Sequence, residues 1–491
     1  MKKLFTLLTL ALLSIGTAWA GDFTYDISTV FKGLTDAQKD AVISNGIVSG
    51  DNLISISFSN PGTDFQRNGT TIKMRGGSGR NATITINGGI IATISQVVLT
   101  YSDTKRNIVS SPSVSRTDDD TNKTMTWSFD NVSSLTLSQN VGNTNLTKIE
   151  VTYSATDITA TTAVWDFQNG NPASLETEAI GIEGKEADVT SSVSGIKMHV
   201  NAKSGAAYDG VQGKLNYRSG NGDAQCNRGT VIQIPVKGTL DVVTLIPKSG
   251  GYTIAGGSEV TAKTTYTATA ADVAQGYVEI VCSTSGYLYS LKVDQYSASV
   301  PIGDTGWSTF SCSQALDYGN AEDGIEAYMI TGYSGTSVTL SDKITGTIPA
   351  ETGLLVKGTA GTSYSVPVAA SSSTDVSANK LVAAVSGTTV NAGVDPVVNY
   401  VLMKVGGDAV FQWIGTTPAT LGANKAYLSI SGGPKPTGEA RGLEIGDGEV
   451  TAIKNIKVGT EDNVYYDLQG RRVLYPKKGL YIVNGKKVII K

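Results

Sequence analysis

The sequence predicts an all-β protein built from two related jelly-roll-like β-sandwiches, a third β module and a small C-terminal β domain. Three observations lead to this prediction. Short segments alternate apolar and polar residues, as at 83–86 and 231–234, which is typical of half-buried strands. Glycine is frequent, with 56 residues among 491, and turns containing glycine or asparagine separate these segments. Only two short windows, 34–44 and 270–274, favour helix.

The first twenty residues predict a secretory signal peptide. A Met-Lys-Lys start is followed by an apolar run over 4–15 and by Ala18-Trp19-Ala20, an arrangement typical of a cleaved signal. We expect cleavage after Ala20 and, because no cysteine follows that site, no lipid anchor. No later stretch approaches the roughly 18 apolar residues of a membrane helix. The mature chain is therefore expected to be exported, to the cell surface or the extracellular space, without a transmembrane anchor.

Charge and histidine content exclude several function classes. Without Lys2 and Lys3 the 39 basic residues fall to 37, against 43 acidic ones, so the mature chain carries a net charge of −6. This argues against nucleic acid as a partner, because phosphate binding requires basic patches. With a single histidine in the chain, zinc sites that need two or more histidines are excluded.

Three cysteines, Cys226, Cys282 and Cys312, cannot form a fully paired disulfide framework. Cys282 follows two apolar residues at period two, so we expect a small buried side chain on a strand. A bridge between Cys226 and Cys282 stays open, because spacing does not determine pairing.

An internal repeat organises the first two thirds of the chain. Residues 73–101 and 214–246 share a Lys-apolar opening, a Ser-Gly loop, a regular strand, a short turn and a second apolar strand. A Gly-, Pro- and Glu-rich stretch before the tail is typical of a linker. The predicted organisation is a signal peptide over 1–20, sandwich repeats over 21–155 and 163–297, a third β module over 298–431, a linker over 432–448 and a C-terminal domain over 449–491.

The C-terminal stretch carries a Tyr-x-Leu-x-Gly-x-x-Val segment, a Gly-x-Tyr-Ile segment and a basic apolar end. This tail resembles the C-terminal sorting domains of the type IX secretion system of Bacteroidota. The resemblance implies export across the outer membrane by type IX-like machinery, often with retention at the surface. The matching residues are Tyr466, Leu468, Gly470, Val473, Gly479, Tyr481, Lys486, Lys487 and Val488.

Two further resemblances concern the remaining modules. The third module carries Thr-Phe at 309–310, Pro-Ala-x-Thr-Gly-Leu-Leu-x-Lys-Gly at 349–358 and Asn-Lys-Ala-Tyr-Leu at 424–428. It resembles a β module that recurs in secreted proteins of the same bacteria, to which we attach no activity. The two repeats are similar in pattern to β-sandwich modules found beside carbohydrate-active domains, although fold alone does not confer function.

Candidate catalytic residues are few. His199 lies on a predicted strand and points away from the face of Met198 and Val200. A histidine base also needs a nucleophile and an orienting group, which the sequence does not identify, so we expect an exposed strand residue. Two carboxylates about 5–10 Å apart would suffice for a glycosidase, and this alternative stays open.

Asp118 and Asp120 are the candidate metal ligands. With Asn122 they could offer oxygen ligands to calcium. An exposed acidic turn between two strands explains the same residues and is the favoured interpretation. No other cofactor is indicated.

Tyr217, Arg218 and Tyr287 are the candidate ligand-binding residues. Tyr217 and Arg218 adjoin the Ser-Gly loop of the second repeat and Tyr287 lies near a turn, where aromatic rings are available for stacking on sugars. Trp165 is instead expected in the core. We therefore expect an exported, non-catalytic surface protein that binds extracellular glycan or mediates adhesion. The alternatives are a glycan hydrolase or lyase and a structural spacer or matrix protein.

Overall fold

A computed structural model describes most of the chain, in two compact units over residues 1–445 and 446–491. All but Ala20 of the predicted signal peptide lies outside the described residues. In the described part of the chain the structure is strands with three short helices, which confirms the all-β class. None of these helices is long and apolar enough to cross a membrane. The described residues are 20–49, 53–77, 79–104, 107–168, 181–191, 193–218, 220–415, 417–435, 442–446, 465–466, 472–473, 478–483 and 486–490.

The first module is a sandwich of two sheets around one core. One sheet has the order β4-β5-β12-β7-β10-β9, with β1 also beside β12, and the other has the order β2-β3-β6-β11-β8. Side chains from both sheets pack around Trp127, which is 1% exposed. The elements are β1 (Ala20–Asp26), α1 (Ile27–Lys32), α2 (Asp36–Asn45), β2 (Ile47–Val48), β3 (Ser55–Phe58), β4 (Phe65–Asn68), β5 (Thr71–Gly77), β6 (Arg80–Asn87), β7 (Ala92–Tyr101), β8 (Ile108–Ser111), β9 (Arg116–Asp119), β10 (Thr124–Val132), β11 (Ser134–Gln139) and β12 (Gly142–Ala155).

The second module repeats the strand pairing of the first. The triplet β13-β22-β20 corresponds to β1-β12-β7, and β15-β16-β19-β22 corresponds to β2-β3-β6-β11. The core is centred on Trp165, whose indole N–H donates to the carbonyl of Val189 at 2.8 Å. The elements are β13 (Ile158–Asp166), β14 (Ile182–Glu183), β15 (Glu186–Thr190), β16 (Lys197–Asn201), β17 (Lys214–Arg218), β18 (Asp223–Asn227), β19 (Val231–Pro235), β20 (Val242–Ile254), β21 (Thr264–Thr267), α3 (Ala270–Gln275) and β22 (Tyr277–Pro301).

The third module has a seven-stranded sheet, β26-β27-β37-β34-β33-β36-β31, and a three-stranded sheet, β23-β29-β25, with two buried clusters. Strand β24 pairs with β28 and β30, and β32 pairs with β35. The elements are β23 (Trp307–Phe310), β24 (Ala315–Asp317), β25 (Glu326–Tyr328), β26 (Ile330–Ser334), β27 (Ser337–Leu340), β28 (Thr347–Ile348), β29 (Leu354–Lys357), β30 (Ser363–Ala369), β31 (Leu381–Ala384), β32 (Thr388–Val390), β33 (Val397–Val405), β34 (Asp408–Trp413), β35 (Ala419–Leu421), β36 (Lys425–Ser431) and β37 (Leu443–Ile445).

The module boundaries differ from those predicted. Strand β13 begins at Ile158, inside the predicted gap, and β22 runs through the 297/298 boundary to pair Ser297–Pro301 with β30. Residues 443–445 of the predicted linker form β37, between β27 and β34. A strand needs only a few alternating residues, so a polar or glycine-rich composition did not exclude strand at these places.

The second unit contains a four-stranded sheet in the order β39-β38-β40-β41. Several residues that match the sorting domains lie in these strands: Tyr466, Val473, Gly479, Tyr481, Lys486 and Lys487. Two others, Leu468 and Gly470, lie outside the described residues. The rings of Tyr465 and Tyr481 meet edge to face, with centroids 5.9 Å apart. The strands are β38 (Tyr465–Tyr466), β39 (Arg472–Val473), β40 (Gly479–Val483) and β41 (Lys486–Ile490).

All three cysteines are free and buried. The Cys282 thiol donates to the Cys226 carbonyl, with Sγ 3.3 Å from the oxygen. Hydrogen bonding to Cys282, together with burial, raises the pKa of Cys226 well above its ordinary value. Burial also raises the pKa of Cys312. The structure therefore holds two neighbouring thiols, rather than a bridge, between β18 and β22.

Candidate ligand-binding face of the second module

Strands β17, β18 and β22 lie side by side, with β20 on the far side of β22. Alternate residues of these strands point into the core, where Leu215, Cys226 and Leu288 are fully buried. The residues between them point outward and form a surface that we call the outer face. The outer face consists of Asn216, Arg218, Asp223, Gln225 and Tyr287, with Lys248 of β20 beside them.

A tight hairpin places the charged residues of this face. Arg218 and Asp223 are direct cross-strand partners at the turn between β17 and β18. The amides of Asn221 and Gly222 both donate to the Arg218 carbonyl, at 2.9 and 3.1 Å. Gly222 has a φ of 58°, a conformation that glycine adopts without steric cost. The Gly-rich turn therefore sets the register in which the arginine meets the aspartate.

A second glycine brings Lys248 to the same place. Gly286 of β22 lies so close to the backbone of Ser249 and Gly250 that a Cβ atom at Gly286 would overlap them. Register shifts in β20 on both sides of Lys248 accompany this close approach. Because of these irregularities, the lysine side chain reaches over β22 towards the hairpin.

Asp223 is the buried centre of the outer face, with a side chain that is 0% exposed. The Arg218 guanidinium donates from Nε to Oδ1 at 2.7 Å and from Nη2 to Oδ2 at 2.8 Å. Lys248 Nζ donates to Oδ2 at 2.6 Å. Two cations thus share one carboxylate, and their own side chains remain 29% and 34% exposed.

These contacts set the ionisation of the cluster. Burial opposes the charged form of Asp223, but the hydrogen bonds from Arg218 and Lys248 outweigh it and leave the pKa below its ordinary value. The hydrogen bond to Asp223 in turn raises the pKa of Arg218. At neutral pH the cluster therefore holds two positive charges and one negative charge.

Aromatic rings flank the cations. The guanidinium carbon of Arg218 lies 3.9 Å from the ring centroid of Tyr287, within the range of a cation–π contact. Lys248 Nζ lies 5.6 Å from the Tyr289 centroid and 6.0 Å from that of Tyr287. Arg218 is held by a carboxylate at its edge and a ring on its plane, so its position is fixed before any ligand arrives.

Amide side chains extend the outer face away from the charges. Asn216, Gln225 and Tyr287 are in register across three adjacent strands. The Gln225 amide donates to Asn227 Oδ1 at 3.0 Å, and Asn216 Oδ1 accepts from the Gly181 amide at 3.1 Å. The face therefore presents amides beside a phenol and two cations.

The structure brings Arg218 and Tyr287 together but places Tyr217 elsewhere. Tyr217 points to the opposite side of β17, where it packs against the core. Its ring centroid lies 6.5 Å from that of Phe167. Adjacent residues of a strand face opposite ways, so the expectation that Tyr217 acts beside Arg218 is corrected: Tyr217 anchors the hairpin.

The sequence prediction did not include Asp223 or Lys248. The spacing of the turn after Arg218 would have indicated Asp223, whereas the position of Lys248 depends on the distant register of β20.

The aspartates proposed for calcium have protein partners. Asp118 pairs with Arg116, with Nε 2.7 Å from Oδ1. Asp120 Oδ1 accepts from the Tyr101 hydroxyl at 3.3 Å, and Asp119 accepts the amides of the turn at residues 121 and 122. The described residues contain no group of three or more His, Cys, Asp or Glu arranged to hold a metal. These contacts fit the acidic-turn interpretation.

His199 lies on β16, between the buried Met198 and Val200, and faces outward as expected. Its Nδ1 lies 2.8 Å from Asp188 Oδ1, and both side chains are well exposed. The pair sits on an open sheet surface.

Open depressions elsewhere in the described residues include the following two. One is lined by Gly332, Tyr333, Lys380 and strand residues, without a carboxylate. The other includes a single carboxylate, Asp40, which is ion-paired with Arg67 at 3.0 Å. Neither depression has the two facing carboxylates of a glycosidase.

Comparisons of the chain with protein-family models, with curated proteins and with solved structures found no match.

Proposed function

We propose that this chain is an exported, non-catalytic cell-surface protein that binds extracellular glycan, with the outer face as its binding surface. The observation that carries the proposal is the buried Asp223 holding Arg218 and Lys248 beside Tyr287. Side chains fixed in advance lose little freedom on binding, which favours recognition of a flexible polar ligand.

The first module shows that the fold does not need this cluster. The hairpin in the same place beside β12 joins β4 to β5, and there Asn68 pairs with Thr71. The second module has Arg218 opposite Asp223 at that place. A charged cluster present in one copy of a repeated scaffold and absent from the other favours a role in recognition over a role in folding.

The amide row fits a ligand rich in hydroxyl groups. Asn216 and Gln225 each carry a donor and an acceptor group, and Tyr287 adds a phenol in the same row. Amide and phenol groups in one row can hydrogen-bond to successive hydroxyls of a sugar chain.

A structural spacer is the second candidate, and one observation favours it. Strand β22 runs for 25 residues and pairs with strands of both the second and the third module. A continuous strand resists bending between the modules it joins. This rigidity also suits an adhesin that holds a binding face away from the cell surface.

A glycan-array screen tests the proposal. The mature chain, residues 21–491, is applied with and without calcium, and products are analysed on every glycan that binds. We expect binding without turnover and at least a tenfold loss of affinity in Tyr287→Ala. Tyr277→Ala, a half-buried tyrosine at the other end of β22, is the matched control and should bind normally. Turnover would identify an enzyme, and silence across the array would favour the spacer.

Deletion of residues 449–491 tests the proposed route. The tail resembles a sorting domain, so the shortened protein is expected to accumulate in the periplasm instead of reaching the surface. Protease accessibility on intact cells and fractionation measure the two populations. The purified shortened protein should still bind any glycan found in the screen, which shows that it is folded. Unchanged surface exposure would contradict the sorting role.

A further inference from the structure

We propose that the glycan recognised by the outer face carries a carboxylate, as a uronic acid does, and that this group binds to Arg218 and Lys248. The inference rests on the proposed function, because it names the ligand class of the same face. It follows from the charge balance of the cluster, the geometry of the arginine and the surroundings of both cations.

Among the described residues, the cluster has one more positive than negative charge. Asp223 is shared by Arg218 and Lys248, so the three groups together carry one net positive charge. Two neighbouring lysines have carboxylates of their own: Lys214 pairs with Glu183 at 3.0 Å, and Lys292 pairs with Asp294 at 2.9 Å. Asp166, at the end of β13, accepts the amide of Gln168. An unbalanced positive site in a chain of net negative charge attracts an anionic group.

The arginine has an end edge that Asp223 does not occupy. A guanidinium has two edges that can each hold a carboxylate with two parallel hydrogen bonds. Asp223 occupies the side edge, formed by Nε and Nη2. The end edge, which includes Nη1, is not engaged by Asp223, and the Arg218 side chain is 29% exposed. Tyr287 also hydrogen-bonds to the guanidinium, so a second carboxylate would bind end-on beside the tyrosine hydroxyl without displacing Asp223.

Lys248 completes the site. One of its three ammonium donors is used by Asp223, at 2.6 Å. Lys248 Nζ and Arg218 Nη2 both donate to Asp223 Oδ2, so the two nitrogens lie on either side of one oxygen atom. The two cations are thus close enough to contact one small anion, and the adjacent amide row can take the hydroxyls of the same sugar.

The test compares matched acidic and neutral ligands by calorimetry, with the mature chain in EDTA so that no metal bridges the carboxylates. The probes are galacturonic acid oligosaccharides of four to six units, the same oligosaccharides after reduction of their carboxyl groups, sulfated oligosaccharides of equal length, and oligoglutamate of equal charge. We expect the uronic acid probe to bind at least tenfold more tightly than the reduced probe. The difference should shrink as sodium chloride rises from 50 to 500 mM.

The variant Lys248→Met removes one cation and keeps the Arg218–Asp223 pair. It should abolish most of the preference for the acidic probe over the neutral one. Lys214→Met, on the same sheet surface, is the matched control and should retain the preference. Circular dichroism and thermal unfolding verify that both variants are folded.

The outcomes separate this inference from the proposed function. Equal binding of the acidic and reduced probes, or tighter binding of the sulfated one, would overturn the carboxylate assignment and leave glycan binding intact. Equally tight binding of oligoglutamate would overturn recognition of a sugar. Failure of every oligosaccharide here and on the array would overturn the proposed function itself.

Discussion

Replacing Arg218 and Lys248 together with methionine is expected to lower the free energy of unfolding by about 3 kcal/mol. In the parent the Asp223 side chain is 0% exposed beneath Arg218 and Lys248; the double variant removes both charged partners, and a desolvated charge without a partner is strongly destabilising. The expected loss lies at the lower end of the range for a broken buried ion pair, because the replaced side chains are partly exposed and water can reach the site. Urea unfolding at pH 7 measures the loss.

Two controls define this result. Lys214→Met removes a surface ion pair and should cost about 0–1 kcal/mol. Adding Asp223→Leu to the double variant should restore most of the lost stability, because the buried charge is then gone. If the double variant is no less stable than Lys214→Met, Asp223 is not a buried, paired carboxylate and the outer face is not preorganised.

The pH dependence provides a second readout of the same cluster. The pKa of Asp223 is lower in the folded chain than its ordinary value, so its ion pairs stabilise the protein fully above the unfolded pKa of about 3.9. This contribution is lost as the pH falls below that value towards the folded pKa. In Asp223→Asn the corresponding acid-induced loss should be absent, so the stability difference between the two proteins should narrow as the pH falls below about 4.

A second buried carboxylate, Asp241, also contributes to the pH dependence of the free energy of unfolding. The pH profile of the parent alone therefore does not isolate Asp223. Burial raises the pKa of Asp241, against the lowering effect of backbone amides that include Gly238 and Tyr296. Its effect on stability therefore has the opposite sign, because the folded state binds the proton more tightly than the unfolded state. Only the difference between Asp223→Asn and the parent isolates the cluster.

Local patterns in the sequence predicted much of the fold. The period-two alternation located strands and placed His199 opposite Met198 and Val200. Two of the three helices lie at the predicted windows. The first, α1, was missed because it has only six residues and depends on the cap formed by Asp26.

The candidate site was only partly predictable. Arg218 and Tyr287 were identified as aromatic and basic residues near turns, and the register of three strands brings them together. The separation of Tyr217 from Arg218 follows from alternation and was available from the sequence. Lys248 was not, because its position depends on bulges in β20 and on the close approach of Gly286. Such long-range register has no local signal.

A single carboxylate between modules offers a further test of the proposed rigidity of the linked modules, which we call the rigid arm. Asp157 lies between β12 and β13, and its side chain accepts from the amide of Ser313 at 2.8 Å and from Asn424 Nδ2 at 2.7 Å. The Ser313 hydroxyl donates to the same carboxylate. The preceding residue, Thr156, bonds to backbone carbonyls of the first module at Ile90 and Ile91. The segment 156–157 thus joins the first module to the third.

Asp157→Ala is expected to cost about 2–3 kcal/mol of local stability, because three donors lose a charged acceptor in a half-buried place. Hydrogen exchange should quicken around residues 311–313 and 424–426, while the exchange of β17 and β18 stays unchanged. Asp304→Ala, in the same module but with a well-exposed side chain 3.7 Å from Lys404 Nζ, is the control and should change little. Equal behaviour of the two variants would show that Asp157 does not couple the modules, and the rigid arm would then depend on β22 alone.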